Sequence, residues 1–239
     1  MAEGPCRPGR RRPGAGRAWG MRILGVDTTD PFAKQPRPAT VAEIDPELRL
    51  MALYETPMEA LVGLPLGVFM AIDGPQGLAS PGKKCRECER LLRTPGRTPD
   101  TLPIAGSKPF AGYLRGNILL FQSMLRWGRR LQEDLIEVFP GAAWPLFSPI
   151  RLVAKQVEEG CRQRRQILVR CGIDNLPQSL NHDQLDALMA AFTAFQFATG
   201  KALAVGFPWY SDGEFIREGF IVQPRALDPQ AVLPGLGKD

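Results

Sequence analysis

The sequence predicts an α/β fold: one mixed sheet with helices packed on it. Three observations carry this. Three short strand-like segments crowd into residues 23–54, which suggests an antiparallel meander. Two further apolar runs, 68–72 and 134–139, read as strands in a sheet interior. Segments of helical period then alternate with late strands, and this order gives a sheet covered by helices.

The elements follow in order. Ile23 to Val26 is a short apolar run ending in Asp27, a buried strand. Residues 28–37 read as a turn. Ala39 to Ile44 and Leu48 to Tyr54 are strands separated by Asp45-Pro46. Thr56 and Pro57 open a short helix, as N-cap and first helical residue. Val68 to Ile72 is the fourth strand and ends in Asp73. A Gly/Pro-rich loop, Gly74 to Lys84, leads to a charged helix, Cys85 to Arg93. Leu114, Ile118, Phe121 and Leu125 give helical spacing to Tyr113–Gln132. Asp134 to Phe139 is a strand closed by Pro140-Gly141. Arg162 to Cys171 is a basic helix, and Asn181 to Thr199 is a long helix stopped by Gly200. Ala202 to Val205 and Phe215 to Val222 are late strands.

The 239 residues carry a net charge of +5, but the excess is uneven. Residues 1–20 hold five arginines and one acid, which leaves +1 for the remainder. Those twenty residues lack apolar periodicity and are expected to be a disordered basic extension. Met21, which opens the first foldable pattern, offers an alternative start. A basic arm touching nucleic acid and a targeting peptide are the other readings. The folded unit is expected over 21–224, with a loose Pro-rich tail at 225–239. No apolar window is long enough for a membrane span. The five cysteines include one close pair, Cys85 and Cys88, and structural zinc needs a second pair. Reduced thiols and a cytoplasmic location are the expectation.

The chemistry lies in the acids. Two apolar strands each end in Asp, at Asp27 and Asp73. A carboxylate at the end of a buried strand is costly unless paired or metal-bound. If the strands are parallel neighbours, both acids reach the carboxyl-end crevice where open sheets bind ligands. Glu137 lies inside a third apolar run, and Asp183 and Asp186 share a face of the last helix. Each acid alone has an ordinary explanation as a cap or turn residue; four converging sites are harder to explain so. Carboxylates with a single histidine nearby favour Mg2+ or Mn2+. Two such ions about 4 Å apart promote phosphodiester cleavage.

The segments Gly25–Asp27, Ala71–Leu78, Glu137–Trp144 and Asn181–Ala191 resemble a family of uncharacterised bacterial and archaeal proteins predicted to be nucleases of the RNase H-like fold. The last segment is also similar to the C-terminal acidic helix of RuvC-type Holliday-junction resolvases. The similarity spans roughly residues 21–224. It implies a five-stranded mixed sheet and a divalent-metal-dependent nuclease of DNA or RNA. Asp27, Asp73, Asp183 and Asp186 would bind metal, and Glu137 would join the catalytic set. Asp73 stands where RuvC-type enzymes usually carry Glu.

Other signals compete. Gly77 to Lys84 nearly matches a P-loop, but Lys84 replaces the hydroxyl residue and Pro81 removes an N–H donor. Lys83, Lys84 and Arg86 are alternatively phosphate contacts beside Asp73, and Arg162 and Arg165 of the basic helix are further candidates. His182 reads as a cap or as an acid–base group. Phe192, Phe195, Phe197, Trp127, Trp144 and Trp209 read as core. The rival functions are an ATP-dependent phosphotransferase of the RNase H-like or actin-like class and a non-catalytic nucleic-acid-binding protein.

Overall fold

The computed structural model describes residues 22–226. The expectations for residues 1–20, for Met21 and for the tail beyond 226 lie outside the described residues.

A single seven-stranded sheet organises the chain. Its strands are β1 (Arg22–Asp27), β2 (Ala39–Ile44), β3 (Leu50–Thr56), β4 (Val68–Asp73), β5 (Leu135–Val138), β6 (Leu203–Ser211) and β7 (Ile216–Gln223). Their order is β3-β2-β1-β4-β5-β7-β6. β1, β4, β5 and β7 are parallel neighbours, whereas β2, β3 and β6 join antiparallel. The expected meander and parallel core are present. The five-strand count is not: the hairpin of β6 and β7 docks on β5 and widens the same sheet to seven. β6 runs well past the four residues expected, because a register shift between Phe207 and Tyr210 accommodates Pro208 on this edge strand.

The main helices are α1 (Glu87–Leu92), α2 (Ala111–Arg126), α3 (Pro140–Ala143), α4 (Glu158–Arg170) and α5 (His182–Ala198). Two 3-10 turns, Met58–Gly63 and Trp144–Phe147, complete the set. Thr56 ends β3, and the turn that follows is capped by Pro57. α2 stops six residues before the expected Gln132, where Gly128 takes a positive φ of 109°. α5 begins as the sequence suggests. Asn181 accepts from the Gln184 backbone N–H, and Gln184 reaches back to the Asn181 N–H. That reciprocal cap satisfies two otherwise orphaned donors.

Side-chain alternation sends each strand's residues to two layers. Leu24, Val26, Met70, Ile72 and Leu135 pack with Phe121 and Met124 of α2. Ile23, Phe69, Ala71, Ile136 and Val138 pack with Ala190, Ala191 and Ala194 of α5. α4 covers the outer side of α5, with Ile167 and Leu168 against Leu188 and Phe192. Phe192 and Trp144 are core as expected, and Phe195 and Phe197 pack at its margin. Trp127 and Trp209 depart from expectation and are exposed: one follows the end of α2, and the other lies on the edge strand.

Candidate active site

Strand parity decides which acids meet. Asp27 and Asp73 are direct register partners on parallel β1 and β4. Asp27 continues the Ile23–Gly25 side of β1, and Asp73 continues the Phe69–Ala71 side of β4. Both therefore project to the face covered by α5.

α5 lies unusually close to this face because β1 carries glycine at its centre. A Cβ at Gly25 would stand 2.0 Å from the Ala187 carbonyl oxygen and 2.1 Å from the Ala191 nitrogen. The helix backbone thus rests directly on the strand, and Asp186 is carried to the end of β1. Asp186 is only 2% exposed. Its Oδ1 accepts from Trp144 Nε1 at 2.7 Å, and its Oδ2 accepts from Lys155 Nζ at 2.5 Å.

The carboxylates feel one another. Burial, then the neighbouring Asp73, Asp186 and Asp183, push Asp27 well above the usual carboxylate range, with Lys155 opposing. Burial and Asp186 push Asp73 the same way, again against Lys155. Burial alone would lower Lys155, but Asp186, Asp27 and Asp73 together hold its ammonium above the ordinary lysine value. Lys155 is thus a cation within the field of all three acids. Asp27 and Asp73 have no hydrogen bond or ion pair to their carboxylates among the described residues.

The end of β4 is fixed by two hydroxyls. Thr28 Oγ1 and Tyr113 Oη both donate to the Asp73 carbonyl, at 2.5 and 2.9 Å. Tyr113 arrives from the first turn of α2. A crevice of about 520 Å3 opens here, with Thr28, Arg37, Asp73, Tyr113, Glu137 and Lys155 in its wall.

The remaining acidic candidates have other partners. Asp183 lies in the first turn of α5, 3.2 Å from Arg37 Nη1, and its Oδ1 is 2.8 Å from His182 Nδ1. It adds charge near Asp27 but is already engaged at the rim. Glu137 is paired in register with Ile72, one position before the partner of Asp73, and follows Leu135 on the α2 side of the sheet. It is 3% exposed and accepts from Arg86 Nη1 at 2.7 Å, Arg86 Nη2 at 2.6 Å and the Gln76 N–H at 2.9 Å. Burial raises Glu137, and Arg86 counters it. Three donors thus hold the Glu137 carboxylate in this structure.

Arg86 holds the other side of this contact. It is 1% exposed, and its Nε and Nη2 also donate to Glu89 at 3.0 and 2.9 Å. Glu89 also accepts from the Thr98 N–H and hydroxyl. The guanidinium holds a buried network at the back of the crevice. Among the other basic candidates, Lys83 and Lys84 are exposed. Arg162 pairs with Glu159 of its own helix. Arg165 donates to the Pro177 and Leu176 carbonyls at 2.6 and 3.1 Å, which ties α4 to the following loop. The P-loop likeness also ends here. Leu78 N–H donates to Ile216 and Glu218 N–H donates to Leu78, so this backbone pairs with β7 and cannot cradle phosphate.

Cys85, Cys88, Cys161 and Cys171 are free thiols, and burial pushes Cys88 up to about 12. Among the described residues, no three His, Cys, Asp or Glu side chains are grouped as metal ligands, and no helix is long and apolar enough to cross a membrane.

Lys155 and Trp144 were missed as site residues. Lys155 sits in an unpatterned loop and gave no signal. Trp144 closes the Glu137–Trp144 segment, and its indole N–H needed a partner once buried.

Residues 105–208 match a family described as "Protein of unknown function (DUF429)". This stretch includes Glu137, Trp144, Lys155 and Asp186 and excludes Asp27 and Asp73. No curated protein and no solved structure matches the chain.

Proposed function

We propose that the chain is a divalent-metal-dependent nuclease of the RNase H-like class that hydrolyses phosphodiester bonds in DNA or RNA. The observation that carries the reading is the register pairing of Asp27 with Asp73 on the face against which α5 sets Asp186. The strand order β3-β2-β1-β4-β5, with β2 antiparallel to β1, supports the fold class.

The donor set fits a hard cation in kind. All three groups supply oxygen, which suits Mg2+ and Mn2+. Two of them are partly buried charges without a partner, an arrangement that a bound cation would relieve. Their placement differs from a ready-made cage: among the described residues no three such side chains are grouped as ligands, and Lys155 takes one oxygen of Asp186. Asp27 and Asp73 would hold the ion and Asp186 would join them. When bound, the ion would activate water and offset charge on the phosphate. Thr28 and Tyr113 keep the Asp73 backbone rigid, and Trp144 orients Asp186. Arg37 on the crevice wall supplies positive charge toward a phosphate backbone.

The phosphotransferase reading loses support from its main motif, because the Leu78, Ala79, Ser80, Gly82 and Lys83 N–H groups of the Gly77–Lys84 loop are already bonded within the protein. The test is a cleavage panel of single-stranded, duplex, hybrid and branched substrates with Mg2+ and with Mn2+. Metal-dependent cleavage by the wild type that disappears in Asp73→Asn supports the reading. Cleavage that persists in both Asp27→Asn and Asp73→Asn would sink it, and nucleic-acid binding without turnover would favour the non-catalytic rival.

A further inference from the structure

We propose that Lys155 is a tethered counter-cation that holds Asp186 in the metal-free site and is displaced when a divalent ion binds, so that this lysine sets the metal affinity. The inference rests on the nuclease reading and names a regulation of the same site.

The contact is built rather than incidental. Lys155 lies in the irregular segment between the 3-10 turn at Trp144–Phe147 and α4, and four interactions fix that segment. The Val153 N–H donates to Gln163 Oε1, and the Val153 carbonyl accepts from Arg164 Nη1, both at 2.9 Å. Cys161 Sγ donates to the Lys155 carbonyl at 3.2 Å. Gly160 permits the closest approach, since a Cβ there would stand 2.0 Å from the Ala154 carbonyl oxygen. Arg164 itself lies over the Trp144 ring, 5.8 Å from its centroid. The same small scaffold therefore sets both donors to Asp186, the Trp144 indole and the Lys155 ammonium.

Those two donors occupy different oxygens. Trp144 takes Oδ1 from the core side. Lys155 takes Oδ2 while its side chain stays 38% exposed and shares the crevice wall with Asp73. One oxygen of Asp186 is thus held by an immobile indole, and the other by a flexible cation with an open route to solvent. A divalent ion beside Asp27 and Asp73 would meet the ammonium as a like charge at short range, and repulsion in this partly buried setting is strong. Exchange would replace one positive charge by two among three carboxylates and release Lys155 into the crevice.

The test uses the full chain and Mn2+ titration calorimetry on wild type, Lys155→Met and Lys155→Arg. Lys155→Met keeps the length of the side chain and removes its charge. It should bind Mn2+ roughly tenfold more tightly, the scale of one lost charge-assisted hydrogen bond. Lys155→Arg should stay near the wild type. A second readout needs no variant: acetylation of Lys155 by an N-hydroxysuccinimide ester, followed by mass spectrometry, should rise at saturating Mg2+, while the exposed Lys83 and Lys84 stay constant. Mn2+ binding that requires Asp27 but is no tighter in Lys155→Met, or Lys155 labelling indifferent to Mg2+, would overturn this proposal alone. Failure of both wild type and Lys155→Met to bind Mn2+ would overturn it together with the nuclease reading.

Discussion

Asp27 and Asp73 face each other in register at the carboxyl ends of adjacent parallel strands, with both side chains on the helix α5 side of the sheet. Two like charges in this position oppose folding, and the Lys155 ammonium offsets them only in part, since both carboxyls stay well above the usual carboxylate range.

Removing one of these charges should therefore stabilise the metal-free protein. Asp27→Asn or Asp73→Asn is expected to gain ~1–2 kcal/mol, a rise in Tm of about 2–4 °C per kcal/mol for a chain of this size. Differential scanning calorimetry in chelator checks this. A fall in Tm would mean that the carboxylates carry stabilising contacts.

The opposite result is expected at Gly25. Any side chain there meets the backbone of α5 within about 2 Å and must push the helix off the strand. Gly25→Ala should cost ~3 kcal/mol or more, read by urea denaturation, and should separate Asp186 from Asp27 in any variant that still folds.

Arg86 and Glu137 should behave as structural residues. Arg86→Met leaves Glu137 and Glu89 as buried carboxylates without their shared cation. The expected loss is ~3–5 kcal/mol in urea denaturation. Under the nuclease reading, Glu137→Gln should keep metal-dependent cleavage in whatever fraction remains folded.

The hairpin joining β6 and β7 supplies a pH prediction. Asp212 accepts from the Phe215 and Glu214 N–H groups and from Arg217, which lowers its carboxyl to about 2 from 3.8. A depressed carboxylate contributes stability that is present above the unfolded value and is lost as pH falls from 3.8 toward 2. The carboxyl is solvent-accessible, so the contribution is small. NMR titration of its carboxyl carbon should give a midpoint near 2, and Asp212→Asn should flatten that part of the stability profile.

The sheet was legible because its strands are apolar runs with clear ends, and the two strand-terminal aspartates are register partners as their parallel neighbours required. The orientation of Glu137 is hidden in the sequence for a physical reason. Its strand is apolar on both faces, so the sequence carries no parity signal. Only the pairing of Ile72 with Glu137 shows that this acid leaves the sheet on the face opposite to Asp73. The pairing of Arg86 is hidden similarly, since its principal partner is 51 residues away and a basic residue in a polar loop reads as exposed. Lys155 was hidden because loops have no period, and its position depends on Gly160, Cys161 and Arg164 of the next helix. The count of five strands failed because the final hairpin, though visible as two strands, does not reveal from sequence which edge it joins.

Asp27 and Asp73 together are proposed to form a divalent-ion site. Mn2+ titration calorimetry of the wild type against Asp27→Asn and Asp73→Asn tests it most directly. Saturable binding by the wild type that either substitution weakens by at least about tenfold is the predicted result. Binding of equal strength in all three proteins, or none in the wild type, would contradict it.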